Sequence, residues 1–241
     1  WKTRPNYNYH WRPPVVNKCT FGVGQVEYLG HLLSAQGIAP RPGLLLAITQ
    51  VPKPNSKEEL KSFMGMCEYY SKFVKHFVTT AEPLFYLLKK NKKFIWGPQQ
   101  QTAFDSIKTD LENAPLLNSY SPGAYTCVTV DASNVGLGAV LSQKVGGQEN
   151  TIAFASRTLR LQERAYSVIE REMLACTWAV EKFKSYLWGT KFTIKTDHKP
   201  LIPLLTGTNV NSSRATARLL RLSSKLLEHH FTAQYIPGNM N

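Results

Sequence analysis

The chain has 241 residues, of which 43% are hydrophobic and 11% aromatic, a composition that excludes a disordered chain and allows a sizeable buried core. Its 29 basic and 16 acidic residues give a net charge of +13, spread evenly over both halves, which predicts a broad basic surface and a polyanionic partner, nucleic acid first. A basic protein without such a partner is the alternative interpretation of the charge.

The sequence also argues against a membrane partner and against a disulfide or zinc framework. No apolar run approaches the roughly 18 residues of a membrane span, and there is no signal peptide. The four cysteines are far apart and form no CxxC pair, which predicts reduced core thiols. We therefore expect an intracellular protein, cytoplasmic or nuclear. Because the chain starts at Trp1 and stops at Asn241 within a segment, we also expect it to be a fragment of a longer one.

The first elements are short and interrupted. Residues 1–16 have no periodicity and predict an irregular lead-in. Short strand-like pieces follow within residues 23–33, and the prolines of residues 40–54 predict a loop-rich stretch around one apolar run at 44–51.

Two amphipathic helices are predicted next. The capping-box pattern Ser56-Lys-Glu-Glu59 predicts a helix start, and apolar residues continue at helical spacing from Leu60 to Phe77. Residues 94–96 predict a short strand, and Phe104, Ile107 and Leu111 mark one face of the second helix. The lysine-rich loop at 89–93 is typical of a solvated turn, with contact to a nucleic-acid backbone as the alternative.

The pattern changes after residue 118. Strands are predicted over 125–131, 137–143 and 151–156, followed by a long helical segment over 162–187. The remaining predicted elements are a strand over 191–196, a short helix over 199–205, a helix over 214–228 and a strand over 231–236. The order β-β-β-α-β-α-β predicts an α/β domain with a mixed sheet built on an antiparallel meander.

Two aspartates stand at strand ends, where their position requires a reason, since aspartate disfavours strands and is costly to bury. The chain has only four aspartates, and Asp131 and Asp197 each end a predicted strand. If the two strands are neighbours, the two carboxylates face each other at one sheet edge.

A third carboxylate must come from the long helix, where Glu170 and Glu172 compete. At ~100° per residue, Glu172 lies roughly 65° from the centre of the apolar face and Glu170 roughly 95° from it. We therefore expect Glu172 to point towards the sheet and Glu170 towards solvent, although this small angular difference leaves an exchange of the two open.

Three converging carboxylates on a basic protein suit divalent-cation chemistry. Mg²⁺ prefers hard oxygen ligands, and two such ions about 4 Å apart activate a water and stabilise the leaving oxygen of a phosphodiester. The structural alternative is that each strand-end aspartate caps a turn and the helical glutamate is solvated.

The motifs around these acids resemble the ribonuclease H domain of gypsy-type LTR retrotransposon and retroviral pol polyproteins. They occur in the family's order: Val130-Asp-Ala-Ser133, Gly136-Leu-Gly138-Ala-Val-Leu-Ser-Gln143, Ala155-Ser-Arg157, Tyr166-Ser167, Glu170-Arg-Glu172-Met-Leu-Ala175, Phe192-Thr-Ile-Lys-Thr-Asp-His198 and Tyr235-Ile-Pro-Gly-Asn-Met-Asn241.

The preceding part resembles the stretch after the polymerase palm of the same polyproteins. Its motifs are Lys18-Cys-Thr-Phe21, Glu27-Tyr-Leu-Gly-His31, Gly37-Ile38, Phe63-Met-Gly65, Tyr69-Tyr70 and Phe73-Val74. The resemblance implies three parts: an irregular lead-in at 1–16, the C-terminal palm edge, thumb and connection of a reverse transcriptase at 17–117, and a ribonuclease H-like domain at 118–241 that is truncated at its C-terminus.

The resemblance also implies a fold and an activity. The fold is an α/β ribonuclease H-like mixed sheet preceded by a small, mainly helical thumb and connection subdomain. The activity is hydrolysis of the RNA strand of RNA–DNA hybrids with two Mg²⁺ ions, for which Mn²⁺ can substitute. The family's metal-binding and catalytic carboxylates fall on Asp131, Glu172 and Asp197. The implied partners are an RNA–DNA hybrid and the rest of a pol polyprotein, with its polymerase palm and integrase.

Two departures from the family pattern bear on activity. The family has a fourth metal-site aspartate after the Tyr-Ile-Pro-Gly segment, which this chain does not reach, so we expect weaker metal affinity or turnover. Residues 1–104 contain no aspartate, so reverse transcriptase activity belongs to a longer parent protein. The alternative to a nuclease is a non-catalytic, nucleic-acid-binding relic of a transposable element.

Overall fold

The computed structural model describes residues 20–207 and 216–238. The predicted lead-in at 1–16, Cys19, the first residues of the helix predicted over 214–228 and residues 239–241 of the closing motif lie outside the described residues. Cys67, Cys127 and Cys176 are buried free thiols, as the sequence predicts for core cysteines.

A small antiparallel sheet opens the described chain. Its strands are β1 (Gln25–Tyr28), β2 (His31–Ser34) and β3 (Gly37–Pro40). Leu29 and Gly30, both with positive φ, make the turn between the first two strands, and the hydroxyl of Tyr70 donates to the Gly30 carbonyl at 2.8 Å. The predicted strand-like pieces therefore belong to a three-stranded sheet that is tied to Tyr70, the residue after the helix at Lys57–Tyr69.

Four helices form the next layer. They are α1 (Pro42–Thr49), α2 (Lys57–Tyr69), α3 (Phe77–Leu88) and α4 (Pro98–Glu112). The Ser56 hydroxyl accepts the Glu59 N–H at 3.1 Å, which confirms the predicted cap of α2. Phe104, Ile107 and Leu111 are buried on α4, as predicted.

Three predictions for this layer are wrong. The stretch at 40–54, predicted as loop-rich around the apolar run at 44–51, contains α1 instead, because Pro42 occupies the first turn of the helix, where no N–H partner is needed. The apolar spacing up to Phe77 does not form one helix, since the chain leaves α2 after Tyr69 and His76 takes a left-handed conformation. Residues 94–96 form no strand; Phe94 and Trp96 pack against the helical core instead.

The second half contains the predicted mixed sheet. Its strands are β4 (Tyr125–Ala132), β5 (Gly136–Val145), β6 (Gln148–Thr158), β7 (Phe192–Thr196) and β8 (Phe231–Tyr235), in the order β6-β5-β4-β7-β8. The first three strands pair antiparallel, whereas β7 pairs parallel with both β4 and β8. The α/β class and the antiparallel meander predicted from the sequence are therefore confirmed.

The helices of this half are α5 (Val168–Lys182), α6 (Lys184–Leu187), α7 (Ile202–Leu205) and α8 (Ala217–Ser224). The long segment predicted over 162–187 is thus divided, and its main helix begins only at Val168. Met173, Cys176 and Val180 of α5 are buried against the sheet. α5 therefore lies against β4 and β5 in the middle of the sheet, and it lies in the chain between the edge strand β6 and β7.

Two hydrophobic clusters hold the chain, one in the helical layer and one between α5 and the sheet. Phe154 of β6 packs against the helical cluster, and the backbones of Ile38 and Leu117 bond to each other at 2.7 and 2.9 Å. The domain boundaries at residues 17, 117 and 118 stay predictions. Within residues 20–207 and 216–238, no helix has both the length and the hydropathy required to cross a membrane.

We predict that Gly37→Ala lowers the free energy of unfolding by about 1–3 kcal/mol. Gly37 has φ +146°, and an added Cβ would lie 2.1 Å from the Leu117 carbonyl oxygen, which is backbone and cannot move aside. The measurement is urea unfolding. Gly65→Ala, inside α2 with nothing within 4 Å of the new Cβ, is the control and should be neutral or stabilising.

Candidate metal centre

Parallel pairing places two aspartates side by side. Val130 of β4 pairs with Thr196 of β7, so Asp131 and Asp197 are the next residues along the two strands. Both side chains are half-buried at the same edge of the sheet. The neighbouring strands that the sequence required for a shared site are therefore present.

Glu172 completes the cluster from the helix above the sheet. It lies in the second turn of α5 and is buried, with 5% of its surface exposed. One carboxylate oxygen from each of Asp131, Glu172 and Asp197 lies within 4.8 Å of the other two. The structure thus brings together all three residues that were selected from the sequence.

The charge of Arg171 only partly balances the buried member of the cluster, Glu172. Burial, followed by the charges of Asp131 and Asp197, raises the pKa of Glu172 to about 8. Its Oε2 atom is buried without a hydrogen-bond partner, which is costly for a polar atom. A divalent cation would supply both the missing partner and the missing charge, so the donor set fits Mg²⁺ or Mn²⁺, which favour carboxylate oxygens.

Glu170 has a structural role, and the prediction that it faces solvent is wrong. Its carboxylate is buried and accepts the Ser167 N–H and the Thr216 hydroxyl, and it pairs with Arg218 at 3.0 Å. Burial alone raises the pKa of Glu170, but the bonds from Ser167 and Thr216 and the charge of Arg218 hold it below its ordinary value. The residue therefore caps α5 and fixes the start of α8 to it.

Arg171 ties the same turn of α5 to the hairpin beside the site. Its Nη1 atom donates to the Asn134 side chain and, at 3.3 Å, to the Ser133 carbonyl. The Ser133 hydroxyl in turn accepts the N–H groups of Val135 and Gly136, which closes the turn between β4 and β5. Asp131 is therefore followed by a turn that is fixed to the helix carrying Glu172.

Three further residues border the site. The Nδ1 atom of His76 lies 3.5 Å from Asp131 Oδ2. A Cβ on Gly138 would lie 3.1 Å from that nitrogen, and a Cβ on Gly238 would lie 3.3 Å from Asp197 Oδ2. Both glycines belong to motifs recognised in the sequence. His76 was missed, because nothing in a local pattern links it to a distant strand end.

Comparison with known sequences gives a consistent family. Residues 96–194 match the family described as an RNase H-like domain found in reverse transcriptase. The chain is 35% identical to the retrovirus-related Pol polyprotein from transposon 412 of Drosophila melanogaster, over 98% of its own length and 18% of the relative. It is 32% identical to the transposon Tf2-3 polyprotein of Schizosaccharomyces pombe, over 93% of its own length and 17% of the relative. The chain therefore spans about a fifth of the length of the curated relatives it matches.

Solved structures give the same fold. The foamy viral protease-reverse transcriptase in complex with RNA/DNA hybrid superposes with a TM-score of 0.72, at 20% identity, over 89% of this chain and 29% of that one. The same enzyme in complex with dsDNA gives a TM-score of 0.71, at 21% identity, over 89% of this chain and 45% of that one. The ribonuclease H-like fold implied by the sequence motifs is confirmed.

We predict that Glu172→Gln stabilises the metal-free protein at pH 8–9 by roughly 2–4 kcal/mol and has little effect near pH 4. The folded-state pKa of about 8 lies above the ordinary value of 4.5. The carboxyl therefore stabilises the fold fully below pH 4.5, and this contribution is lost as the pH rises through 8. Urea unfolding in EDTA across this range measures the effect.

Glu181→Gln, on the exposed part of the same helix, is the matched control and should leave the pH dependence of the parent chain unchanged. A Glu172→Gln variant whose stability fell with pH as steeply as that of the parent would contradict the assignment.

Glu170→Ala should have the opposite effect and lower the free energy of unfolding by about 2–3 kcal/mol at neutral pH. The substitution leaves the Ser167 N–H and the Arg218 guanidinium without their buried partner. Thermal unfolding of Glu170→Ala beside Glu172→Gln in EDTA at pH 8 tests the pair. Loss of stability in both variants, or in neither, would refute the different roles given to the two glutamates.

Proposed function

This chain is a relative of retrotransposon Pol polyproteins and carries the RNase H-like domain found in reverse transcriptase, and we propose that it hydrolyses the RNA strand of RNA–DNA hybrids in a metal-dependent reaction. The observation that carries the proposal is the cluster of Asp131, Glu172 and Asp197 within 4.8 Å, at the end of two parallel strands. The substrate and the activity are proposals for this chain.

The three carboxylates are the proposed metal-binding and catalytic residues. Asp131 and Asp197 are half-buried and open to a substrate, whereas Glu172 closes the site from the core side. Bound Mg²⁺, or Mn²⁺ in its place, would activate a water and stabilise the leaving oxygen of the phosphodiester. The unpartnered Oε2 of Glu172 supports this assignment, because a buried carboxylate oxygen without a hydrogen-bond donor favours a cation.

The charge of the chain supports a nucleic-acid substrate. A net charge of +13 that is spread over both halves favours binding along a phosphate backbone, with an affinity that falls as salt rises. Selectivity for a hybrid would depend on reading 2′-hydroxyl groups on one strand and deoxyribose on the other. The lysine-rich turn at 89–93 is exposed, and Lys89 and Lys92 lie 5.1 and 4.7 Å from the ring centroid of Tyr86.

The remaining parts of the proposal concern the parent protein. We assign residues 17–117 to the palm edge, thumb and connection of a reverse transcriptase and residues 118–241 to its ribonuclease H-like domain. The polymerase palm and integrase are proposed as further parts of the same polyprotein, which acts inside the cell. Polymerase activity is assigned to the palm, since residues 1–104 have no aspartate to form a metal site.

The test is cleavage of a hybrid with labelled RNA, in Mg²⁺ or Mn²⁺, by the parent chain and by Asp131→Asn. We expect cleavage that depends on metal, leaves the DNA strand intact and falls at least ~100-fold in the variant, because one ligand of the cluster is weakened. Asp105→Asn is the matched control, because Asp105 lies on the exposed side of α4 and its carboxylate accepts only the Gln101 amide among the described contacts.

Cleavage that persisted in Asp131→Asn, or equal cleavage of the DNA strand, would overturn the proposal. If the parent chain binds the hybrid without cutting it, the same assay on a chain extended past Asn241 decides the matter. Cleavage by the extended chain would identify the need for a further carboxylate. Absence of cleavage by the extended chain as well would support the alternative, a non-catalytic, nucleic-acid-binding relic.

A further inference from the structure

His76 has an unusual backbone conformation at the junction between the two parts of the chain. Its φ is 55°, and Leu29 is the other non-glycine residue with positive φ among the described residues. A left-handed conformation costs free energy for a residue with a Cβ and persists only where the surroundings hold it. Here it ends the segment after α2 and starts α3, whose first residue, Phe77, is buried.

The start of α3 is fitted against the strands beside the acidic cluster. The Val78 N–H lies 3.4 Å from the Ser156 hydroxyl, which it donates to. A Cβ on Gly136 would lie 3.0 Å from the Val78 side chain, and a Cβ on Gly138 would lie 3.1 Å from His76 Nδ1. Two glycines of β5 therefore leave room for this close approach, and a side chain at either position would crowd His76 or Val78.

The approach brings one imidazole nitrogen to the cluster. His76 Nδ1 lies 3.5 Å from Asp131 Oδ2, and the two side chains are 37% and 36% exposed. This distance is longer than that of an ordinary hydrogen bond. Because solvent screens such a pair, its contribution to folding stability is small. The contact between His76 and Asp131 bears instead on the direction in which the Asp131 carboxylate points.

We propose that His76 is a positioning residue for Asp131, and that the helical layer thereby completes the acidic site of the sheet. The inference rests on the proposed function, in which Asp131 is a metal ligand. An N–H donor on one side of a ligating carboxylate limits its rotation and holds the opposite oxygen towards the cation, and loss of such a donor typically weakens metal binding by about 10–100-fold.

The test measures Mn²⁺ affinity of the full chain by electron paramagnetic resonance, with no substrate present. His76→Gly removes the imidazole and tolerates the positive φ, so its fold is not strained. His76→Asn also tolerates a left-handed conformation and keeps an N–H donor two bonds from Cβ, where Nδ1 lies. Leu29→Gly makes the same backbone change at an exposed turn away from the site and is the control.

We expect His76→Gly to bind Mn²⁺ about 10–100-fold more weakly than the parent chain, while Leu29→Gly and His76→Asn bind as the parent does. Thermal unfolding in EDTA should be similar for all four proteins. Recovery by asparagine but not glycine assigns the effect to a side chain that supplies an N–H donor at this place, since both variants tolerate the backbone conformation.

Two kinds of result would overturn the inference, and they differ in what they mean for the proposed function. Equal Mn²⁺ affinity of His76→Gly and the parent, or equal loss in His76→Gly and His76→Asn, would overturn the role of His76 and leave the proposed function standing. Absence of Mn²⁺ binding by the parent chain itself would overturn the metal site, and with it both proposals.

Discussion

The parallel pairing of β4 with β7 is the constraint on which the rest of the structure depends. It places Asp131 and Asp197 at the ends of adjacent strands, and a shift of register by one residue would turn one of the two side chains to the opposite face. A parallel pair cannot be closed by a hairpin, so the chain must cross over between the strands. α5 makes that crossing, and the crossing is what brings Glu172 over the same sheet edge.

This arrangement concentrates negative charge where the protein is least able to solvate it. Burial and the charges of Asp131 and Asp197 raise the pKa of Glu172 to about 8, and its Oε2 atom has no hydrogen-bond partner, so the ionised, metal-free site works against folding at higher pH. The surrounding turn is firmly bonded, although the buried Nε atom of Arg171 has no hydrogen-bond partner. Glu170 has four donors, from Ser167, Thr216 and Arg218, and Arg171 is tied to the hairpin beside Asp131. A strained cluster held by a firmly bonded turn is a common arrangement at functional sites.

The helical layer contacts the sheet beside the acidic cluster as well as at places away from it. Phe154 packs against the helical core, Ile38 and Leu117 join the small sheet to the segment before β4, and the start of α3 lies against β5. The fold shared with the foamy viral protease-reverse transcriptase includes both parts over 89% of this chain. The acidic edge is therefore built on contacts from residues on either side of position 118.

The sequence by itself determined the elements whose signals are local: the alternating strands, the cap at Ser56 and the three acids at strand and helix positions. Tertiary structure decided what depends on distant partners. The angular difference favoured Glu172 over Glu170 but left an exchange of the two open. In the structure, Thr216 and Arg218 at the start of α8 bond to Glu170, while Glu172 lies beside Asp131 and Asp197. His76 and the break before α3 were not readable, because the strands that hold them lie far along the chain. Local periodicity reports which face of an element is apolar, and only long-range packing fixes what covers it.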